Sequence, residues 1–230
     1  MEGQQHWYAS EINLNNQVIA DLGANVGRLS QFFWDIGADT NTVVSIEPLP
    51  QNIKRIRKRI TRSKAGNWRV EAVVVSDRAG ECVIRSFHST RQGWNSMVIG
   101  ADADEAASGK VKDIVVECRT LSELVPDATV VKVDIEGHEY AVFDEALDKL
   151  PRVHTWAMEL HMVDGRPLGQ VIGQFMQNGY TLIAATQGTG GHWGSVNIDA
   201  QLQWDSIPAM HRLADGREFK MLHVIARRRL

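Results

Sequence analysis

Cysteine is scarce in this chain, and long apolar runs are missing. Only Cys82 and Cys118 occur among 230 residues, which argues against a disulfide-stapled scaffold and favours a reducing compartment with free thiols. No apolar run is long enough to cross a bilayer. No charged segment followed by a short apolar one opens the chain, as a signal peptide would. We therefore expect a cytoplasmic protein without a membrane anchor.

The chain also lacks a strong excess of charge of either sign. Its formal net charge is −3, so nothing draws the whole chain to nucleic acid or to an anionic membrane. One basic run, Lys54–Arg59, has helical spacing and is interpreted as a solvated helix face. The alternative is a contact with a phosphate-bearing or acidic substrate. We expect a single domain over residues 17–230, after a lead-in over residues 1–16.

What the sequence has is an alternation of strand-like runs and stretches with helical periodicity. The alternation indicates an α/β protein with parallel strands and crossover helices. A break in the middle predicts a small antiparallel insertion with a mobile acidic loop at Asp102–Lys110. The predicted strands are Val18–Leu22, Thr42–Glu47, Arg69–Val75, Glu81–Arg85, Ser96–Ile99, Asp113–Cys118, Val130–Asp134, Val153–Leu160, Tyr180–Ala185 and Phe219–Ala226, and the predicted helices are Val26–Ile36, Pro50–Ile60, Tyr140–Leu147 and Pro167–Asn178.

A glycine-rich turn follows the first predicted strand. The segment Asp21-Leu22-Gly23-Ala24-Asn25-Val26-Gly27 lies where this strand ends and a helix begins. Glycines there let a ligand approach the backbone, and a helix N-terminus offers unpaired N–H groups. Glu47, at the end of the second strand and 20 residues past Gly27, can accept hydrogen bonds from both hydroxyls of a ribose. Together these features predict a cofactor that contains a ribonucleoside.

The spacing of the glycines narrows the choice of cofactor. A dinucleotide fingerprint requires G-x-G-x-x-G, whereas Gly23 and Gly27 enclose three residues. A carboxylate at Asp21 suits a cofactor with an ammonium or sulfonium group and repels a pyrophosphate. These features favour S-adenosylmethionine. Ser76 and Asp77, after the third strand, are candidates for contact with the adenine, and the alternative is a simple turn.

These residues belong to an ordered series of motifs that resembles the FkbM-type methyltransferases. The most diagnostic stretch is similar to the family's lysine–aspartate–glutamate–glycine–x–glutamate motif. His138 departs from the family pattern, because small residues are more usual there. The resemblance covers roughly residues 16–165 and rests on the glycine loop, Ile46-Glu47-Pro48, Val75-Ser76-Asp77 with Gly80, Gly93-Trp94-Asn95-Ser96, Thr120-Leu121-Ser122-Glu123-Leu124 and Lys132-Val133-Asp134-Ile135-Glu136-Gly137-His138-Glu139.

The resemblance implies a Rossmann-like class I methyltransferase fold with a mostly parallel seven-stranded sheet. The strand around Phe219–Ala226 would run antiparallel at one edge. It also implies transfer of a methyl group from S-adenosylmethionine to an oxygen, often a hydroxyl of a sugar or a natural product. Asp134 would lie beside the methionine part of the cofactor or the acceptor. The predicted cofactor residues are Asp21, Gly23, Ala24, Asn25, Gly27, Glu47, Pro48, Ser76, Asp77, Ser96 and Asp134.

A hydroxyl acceptor needs a base or a metal ion that lowers its effective pKa. His138 and His161 are candidate general bases because histidine titrates near neutral pH, and Asp134 is the third catalytic candidate. Alternatively, Asp134, Glu159 and His161 hold a divalent metal ion that binds the acceptor hydroxyl. The sequence leaves both alternatives open.

The acceptor is expected to be a small molecule or a glycan. Trp94 and Trp193 lie beside glycines and are candidates to stack on a sugar face. His192 and Trp193 belong to Gly188–Gly194, which is predicted to be a loop that shapes the site. A nucleic-acid acceptor has only the Lys54–Arg59 run in its favour. The remaining alternatives are a nicotinamide-dependent oxidoreductase and a non-catalytic S-adenosylmethionine-binding module, and a homodimer is left open.

Overall fold

Strands and helices alternate along most of the chain. The computed structural model describes residues 12–37, 40–87, 111–163, 166–187, 193–209, 211–212 and 218–228. The helices are α1 Arg28–Gly37, α2 Pro50–Ser63, α3 Leu121–Leu124, α4 Glu139–Lys149 and α5 Leu168–Gln177. The strands are β1 Val18–Leu22, β2 Thr42–Ile46, β3 Trp68–Glu71, β4 Val74–Val75, β5 Gly80–Phe87, β6 Val111–Arg119, β7 Val130–Val133, β8 Thr155–His161, β9 Tyr180–Gln187, β10 Trp193–Asn197, β11 His211–Arg212, β12 Glu218–Phe219 and β13 Met221–Arg228.

The described part of the main sheet has eight strands in the order β10-β9-β13-β8-β7-β1-β2-β3. In this sheet the pairs β8–β7, β7–β1, β1–β2 and β2–β3 are all parallel. β13 is antiparallel to both β8 and β9, and β10 is antiparallel to β9. The predicted α/β class with a mostly parallel sheet is therefore confirmed.

Two details of the sheet differ from the prediction. The strand predicted at an edge, β13, lies between β8 and β9, and its consecutive buried residues Val224, Ile225 and Ala226 suit a strand that is covered on both faces. The described sheet also gains an eighth strand, β10, because Trp193 and Gly194 pair with Gln187 and Thr186 instead of lying in a loop. Residues 188–192 lie outside the described ranges.

The predicted insertion forms a separate three-stranded sheet in the order β4-β6-β5. β5 and β6 pair antiparallel from Gly80 opposite Cys118 to Phe87 opposite Val111, and β4 pairs in parallel with β6. The strand predicted at Arg69–Val75 is therefore split between the two sheets. The predicted strand at residues 96–99 and the predicted loop at residues 102–110 lie outside the described residues.

Helices cover both faces of the main sheet. α1 and α2 pack on one face, where Phe33 and Ile56 meet Ile19 and Val43. α4 and α5 pack on the other face, where Phe143 makes edge-to-face contacts with Trp156 and Phe175 at ring-centroid distances of 5.9 and 5.0 Å. The described helices are too short or too polar to cross a membrane, and the longest has 14 residues. This layering leaves the carboxyl ends of β1, β2, β7 and β8 at one edge, where open α/β sheets bind ligands.

Candidate functional site

A cleft opens at the carboxyl ends of β1, β2 and β7. Its walls combine apolar side chains with three carboxylates, two of which follow β7. The insertion contributes one wall through β4. The lining residues are Gly23, Asn25, Ile46, Glu47, Pro48, Leu49, Asn52, Val74, Val75, Asp134, Ile135 and Glu136.

The glycine loop is shaped by three residues with positive φ. Gly23, Asn25 and Gly27 have φ values of 73°, 50° and 75°, a region that favours glycine and asparagine. A Cβ on Gly23 would lie 1.8 Å from the carbonyl oxygen of Asp134, so only glycine lets β1 and β7 approach so closely. The N–H groups of Gly23 and Ala24 both donate to the Ile46 carbonyl, at 3.1 Å. The loop is thus fixed against both neighbouring strands, with Gly23 and Asn25 on the cleft.

Glu47 is buried in the cleft wall and 5% exposed. Its Oε2 accepts from the Asn25 N–H at 2.9 Å, and its Oε1 accepts from the Leu49 N–H at 3.0 Å and from Asn52 Nδ2 at 3.2 Å. Burial nevertheless raises the pKa of Glu47 from 4.5 to about 7 because these donors only partly offset the lost hydration. Oε2, with one donor, keeps capacity to accept a further hydrogen bond.

Asp21 lies beneath the loop, fully buried, and is not among the lining residues of the cleft. Its Oδ2 accepts from Ser30 Oγ of α1, and its Oδ1 lies 3.5 Å from Lys132 Nζ. The same ammonium lies 3.5 Å from Asp134 Oδ2 and donates to the Leu22 and Gly23 carbonyls at 3.3 Å. Burial alone would lower the pKa of Lys132, but Asp134 and Asp21 outweigh it and raise that pKa. A charged lysine therefore links Asp21 to the cleft residue Asp134.

His161 is held by a carboxylate on each side. Its Nδ1 lies 2.8 Å from Glu139 Oε1, and its Nε2 lies 3.6 Å from Glu136 Oε2. Burial alone would lower the pKa of His161, but the hydrogen bond to Glu139 and the nearby negative charges raise it to about 9. The imidazole is therefore protonated at neutral pH. Glu139 Oε1 also accepts from the N–H groups of Ile135 and Gly137, at 3.3 and 3.0 Å, which ties His161 to the loop after β7.

Glu136 projects from that loop and lines the cleft. It has a positive φ of 56°, a conformation that non-glycine residues adopt uncommonly. Burial and the neighbouring carboxylates Asp134 and Glu139 raise its pKa to about 6, although His161 acts in the opposite direction. Glu136 is thus a partly exposed carboxylate that titrates near neutrality.

His138, the other histidine after β7, is directed to the insertion side of the site. Its Nε2 lies 3.1 Å from Ser76 Oγ, and Ser76 Oγ donates to Asp77 Oδ1 at 3.0 Å. Burial lowers the pKa of His138, so the imidazole is neutral at pH 7. The structure thus joins three predicted site residues in one chain of hydrogen bonds, next to the cleft residue Val75.

The groups that could bind a metal ion differ from the predicted set. Ligand atoms of Asp134, Glu136 and His161 lie within 4.8 Å of one another, so Glu136 takes the place predicted for Glu159. Glu159 Oε1 instead lies 3.2 Å from His223 Nε2 of β13. A metal ion among the three would lie close to the Lys132 ammonium that pairs with Asp134, and it would need a neutral His161.

Several predicted site residues fall outside what the structure describes. Ser96, Trp94 and His192 lie outside the described ranges, and of Trp193 only the backbone, at the start of β10, is described. Conversely, Lys132 and Glu139 belong to the family motif but were not in the predicted catalytic, cofactor or metal set, and Asn52 had no predicted role. The signal for Lys132 and Glu139 was a charged residue next to apolar residues that become buried, since such residues are rarely buried without a partner. Nothing in the sequence indicated a role for Asn52.

Comparison with known proteins agrees with these motifs. The sequence model of the family described as "Methyltransferase FkbM domain" matches residues 21–182. Comparison with curated protein sequences gives no significant match.

Several solved structures are similar to this chain at low sequence identity. Methyltransferase FkbM from Methylobacillus flagellatus KT is 13% identical with a TM-score of 0.48, over 67% of this chain and 36% of that one. This chain therefore spans about a third of that relative's length. Precorrin-6y C5,15-methyltransferase from Geobacter metallireducens GS-15 is also 13% identical, with a TM-score of 0.47 over 94% and 81% of the two chains. A candidate tRNA (m1A22) methyltransferase from Streptococcus pneumoniae is 8% identical with a TM-score of 0.50 over 100% and 72%, and this likeness bears on the fold alone.

Proposed function

Because this chain belongs to the FkbM methyltransferase family, we propose that it transfers a methyl group from S-adenosylmethionine to a hydroxyl of a small-molecule acceptor, such as a sugar or a natural-product ring. The observation that carries the proposal is the cleft itself, where Gly23 and Asn25 of the loop meet Glu47 and Asp134. The O-methyl chemistry and the class of acceptor rest on the family resemblance.

The residues of the cleft fit the chemistry of this cofactor. Glu47 can accept from a ribose hydroxyl, and the apolar residues Leu49, Val74 and Val75 beside it suit an adenine ring. Asp134 offers a carboxylate to an ammonium or sulfonium group. Burial raises the pKa of Asp134, and the Lys132 ammonium 3.5 Å away opposes that rise. Asp21 fits a supporting role, since it holds Lys132 rather than facing the cleft.

When bound, S-adenosylmethionine would supply an activated methyl group: the acceptor oxygen would form a bond to the methyl carbon, the S–C bond would break, and S-adenosylhomocysteine would leave as a neutral thioether. The protein then has to orient the hydroxyl, exclude water and receive its proton. We assign the proton to Glu136, which lines the cleft and has a pKa of about 6. His161, with a pKa of about 9, is already protonated at neutral pH, and His138 is engaged with Ser76.

In this scheme His161 and Glu139 position the base. The imidazolium of His161 lies between the two carboxylates and holds Glu136 while Glu139 fixes the ring through Nδ1. A metal-assisted route would instead use Asp134, Glu136 and His161 as ligands. The positive charges of Lys132 and of protonated His161 would repel the metal ion. The charge balance therefore favours the general-base route.

The proposal is tested by following formation of S-adenosylhomocysteine with a panel of hydroxylated acceptors, comprising glycans and natural products. We expect turnover with at least one acceptor and a product that carries the new methyl group on oxygen, as located by NMR. Asp113→Asn, at an exposed position of β6, serves as a control that keeps the cleft intact. A product methylated on nitrogen or carbon would contradict the O-methyl assignment.

A further inference from the structure

A cationic groove lies beside the glycine loop, between the start of α1 and one face of α2. It shares no lining residue with the cleft described above. Five of its six lining residues are basic, and four of these are arginines. They are Val26, Arg28, Arg55, Lys58, Arg59 and Arg62.

The basic side chains of α2 in the groove form one stripe. Arg55, Lys58, Arg59 and Arg62 follow the i, i+3, i+4, i+7 spacing that places residues on a single helix face. At a rise of about 1.5 Å per residue, the stripe is about 10 Å long. Arg59 is fixed within it, because its Nε donates to the Val26 carbonyl at 2.8 Å and its Nη1 donates to Gln31 Oε1 at 2.7 Å.

Within the part of the chain that the structure describes, these charges have no carboxylate partner. In the described ranges, none of the five cations lies within 4.0 Å of a carboxylate, and α2 contains no acidic residue. Burial, together with the charges of Arg28 and Arg62, lowers the pKa of Arg59 below its ordinary value. Other cations of the fold, such as Lys132 and Arg166, are paired with carboxylates. Five unpaired cations around one concavity repel one another, so an anionic ligand would stabilise this arrangement.

We infer that this groove binds a ligand that carries one phosphate or two adjacent phosphates, as a phosphate monoester or a diphosphate. The arginines favour phosphate because a planar guanidinium can donate two parallel hydrogen bonds to its oxygens. The short stripe favours a compact anion over a nucleic-acid strand, since a protein that contacts about 6–10 phosphates needs a longer track of cations. The net charge of −3 for the whole chain also disfavours a polyanion.

The test uses the full chain and inorganic pyrophosphate and phosphate as probes, with isothermal titration calorimetry at low salt. The groove variant Arg55→Gln with Lys58→Gln removes two charges that line the groove. The matched control, Lys54→Gln with Arg57→Gln, removes the same two residue types at the same spacing from exposed positions of α2 outside the groove. Circular dichroism checks that both variants are folded.

We expect pyrophosphate to bind the unaltered chain. Its affinity for the groove variant should be at least tenfold lower, and its affinity for the control variant should be within twofold of that for the unaltered chain. Tighter binding of pyrophosphate than of phosphate would indicate that the groove takes two adjacent phosphates, and equal binding would indicate that it takes one. No binding of either probe to folded protein, or equal losses in both variants, would overturn the inference. A single-stranded oligonucleotide that binds more tightly than pyrophosphate and is weakened equally by both variants would also overturn it, in favour of a nucleic-acid surface. Because the groove and the cleft share no residues, none of these outcomes depends on cofactor binding.

Discussion

Replacing the buried carboxylate of the cleft by its amide, Glu47→Gln, should change how stability depends on pH. The pKa of Glu47 is raised from 4.5 to about 7 by burial. Below pH 4.5 the carboxyl is protonated in both the folded and the unfolded chain. Between pH 4.5 and 7 only the unfolded chain releases the proton, so rising pH favours unfolding. Above pH 7 both states are ionised and the dependence ends.

The size of the effect follows from the two pKa values. A pKa difference of about 2.5 corresponds to about 3.5 kcal/mol over the whole pH range, at about 1.4 kcal/mol per unit. Glu47 is 5% exposed, so solvent screening removes little of this. The unaltered chain should therefore lose about 2–3 kcal/mol relative to Glu47→Gln between pH 5 and 8. The amide also loses one of the three hydrogen bonds. This loss lowers the free energy of unfolding of the variant by the same amount at every pH, so the pH dependence is unchanged.

Urea unfolding of both proteins at several pH values measures this difference, and subtraction cancels the other titrating groups. Binding supplies a second readout, because a ribose hydroxyl forms a stronger hydrogen bond with the carboxylate than with the protonated carboxyl. The affinity of the unaltered chain for S-adenosylhomocysteine should fall by up to about tenfold per pH unit below pH 7, and that of Glu47→Gln should not. If the free energies of unfolding of the unaltered chain and of Glu47→Gln changed in parallel from pH 5 to 8, the assigned cost of burying this charge would be refuted.

Three further predictions concern the loop and the proton path. Gly23→Ala should abolish binding of S-adenosylhomocysteine, because the added Cβ meets the Asp134 carbonyl at 1.8 Å, whereas Gly66→Ala, with nothing within 4 Å, should bind as before. Glu136→Gln should lower turnover by about 100-fold or more with cofactor affinity within twofold, and should remove a rise in rate with pH centred near 6; equal losses in both quantities would contradict its role as base. Glu139→Gln should lower the pKa of His161 from about 9, as followed by NMR of the ring protons, and an unchanged titration would contradict the assigned hydrogen bond.

Local patterns in the sequence predicted much of the fold. Strand and helix periodicity predicted the parallel part of the sheet, and the resemblance to FkbM methyltransferases is confirmed by the family match over residues 21–182. The position of β13 between β8 and β9 could not be predicted from its own residues, since the order of strands is set by contacts distant in sequence. Trp193 and Gly194 pair with β9 for the same reason, although glycines on either side indicated a loop.

The residues of the site that follow strand ends could be predicted from the sequence. The side-chain partners of the buried charged residues could not. Gly23, Glu47 and Asp134 line one cleft, as residues that follow neighbouring parallel strands should. The partners of Asp21 and Glu159 were not predictable, because Lys132 and His223 come from distant segments that the sheet register brings opposite them. The charge of His161 likewise depends on Glu139, which the sequence alone left as a residue in the first turn of a helix.

The central claim, that the cleft binds S-adenosylmethionine, is tested most directly by isothermal titration of the full chain with S-adenosylmethionine and S-adenosylhomocysteine, with NAD as the control. The account predicts micromolar binding of both adenosyl compounds and none of NAD. Absence of binding by folded protein, or preferential binding of NAD, would contradict it.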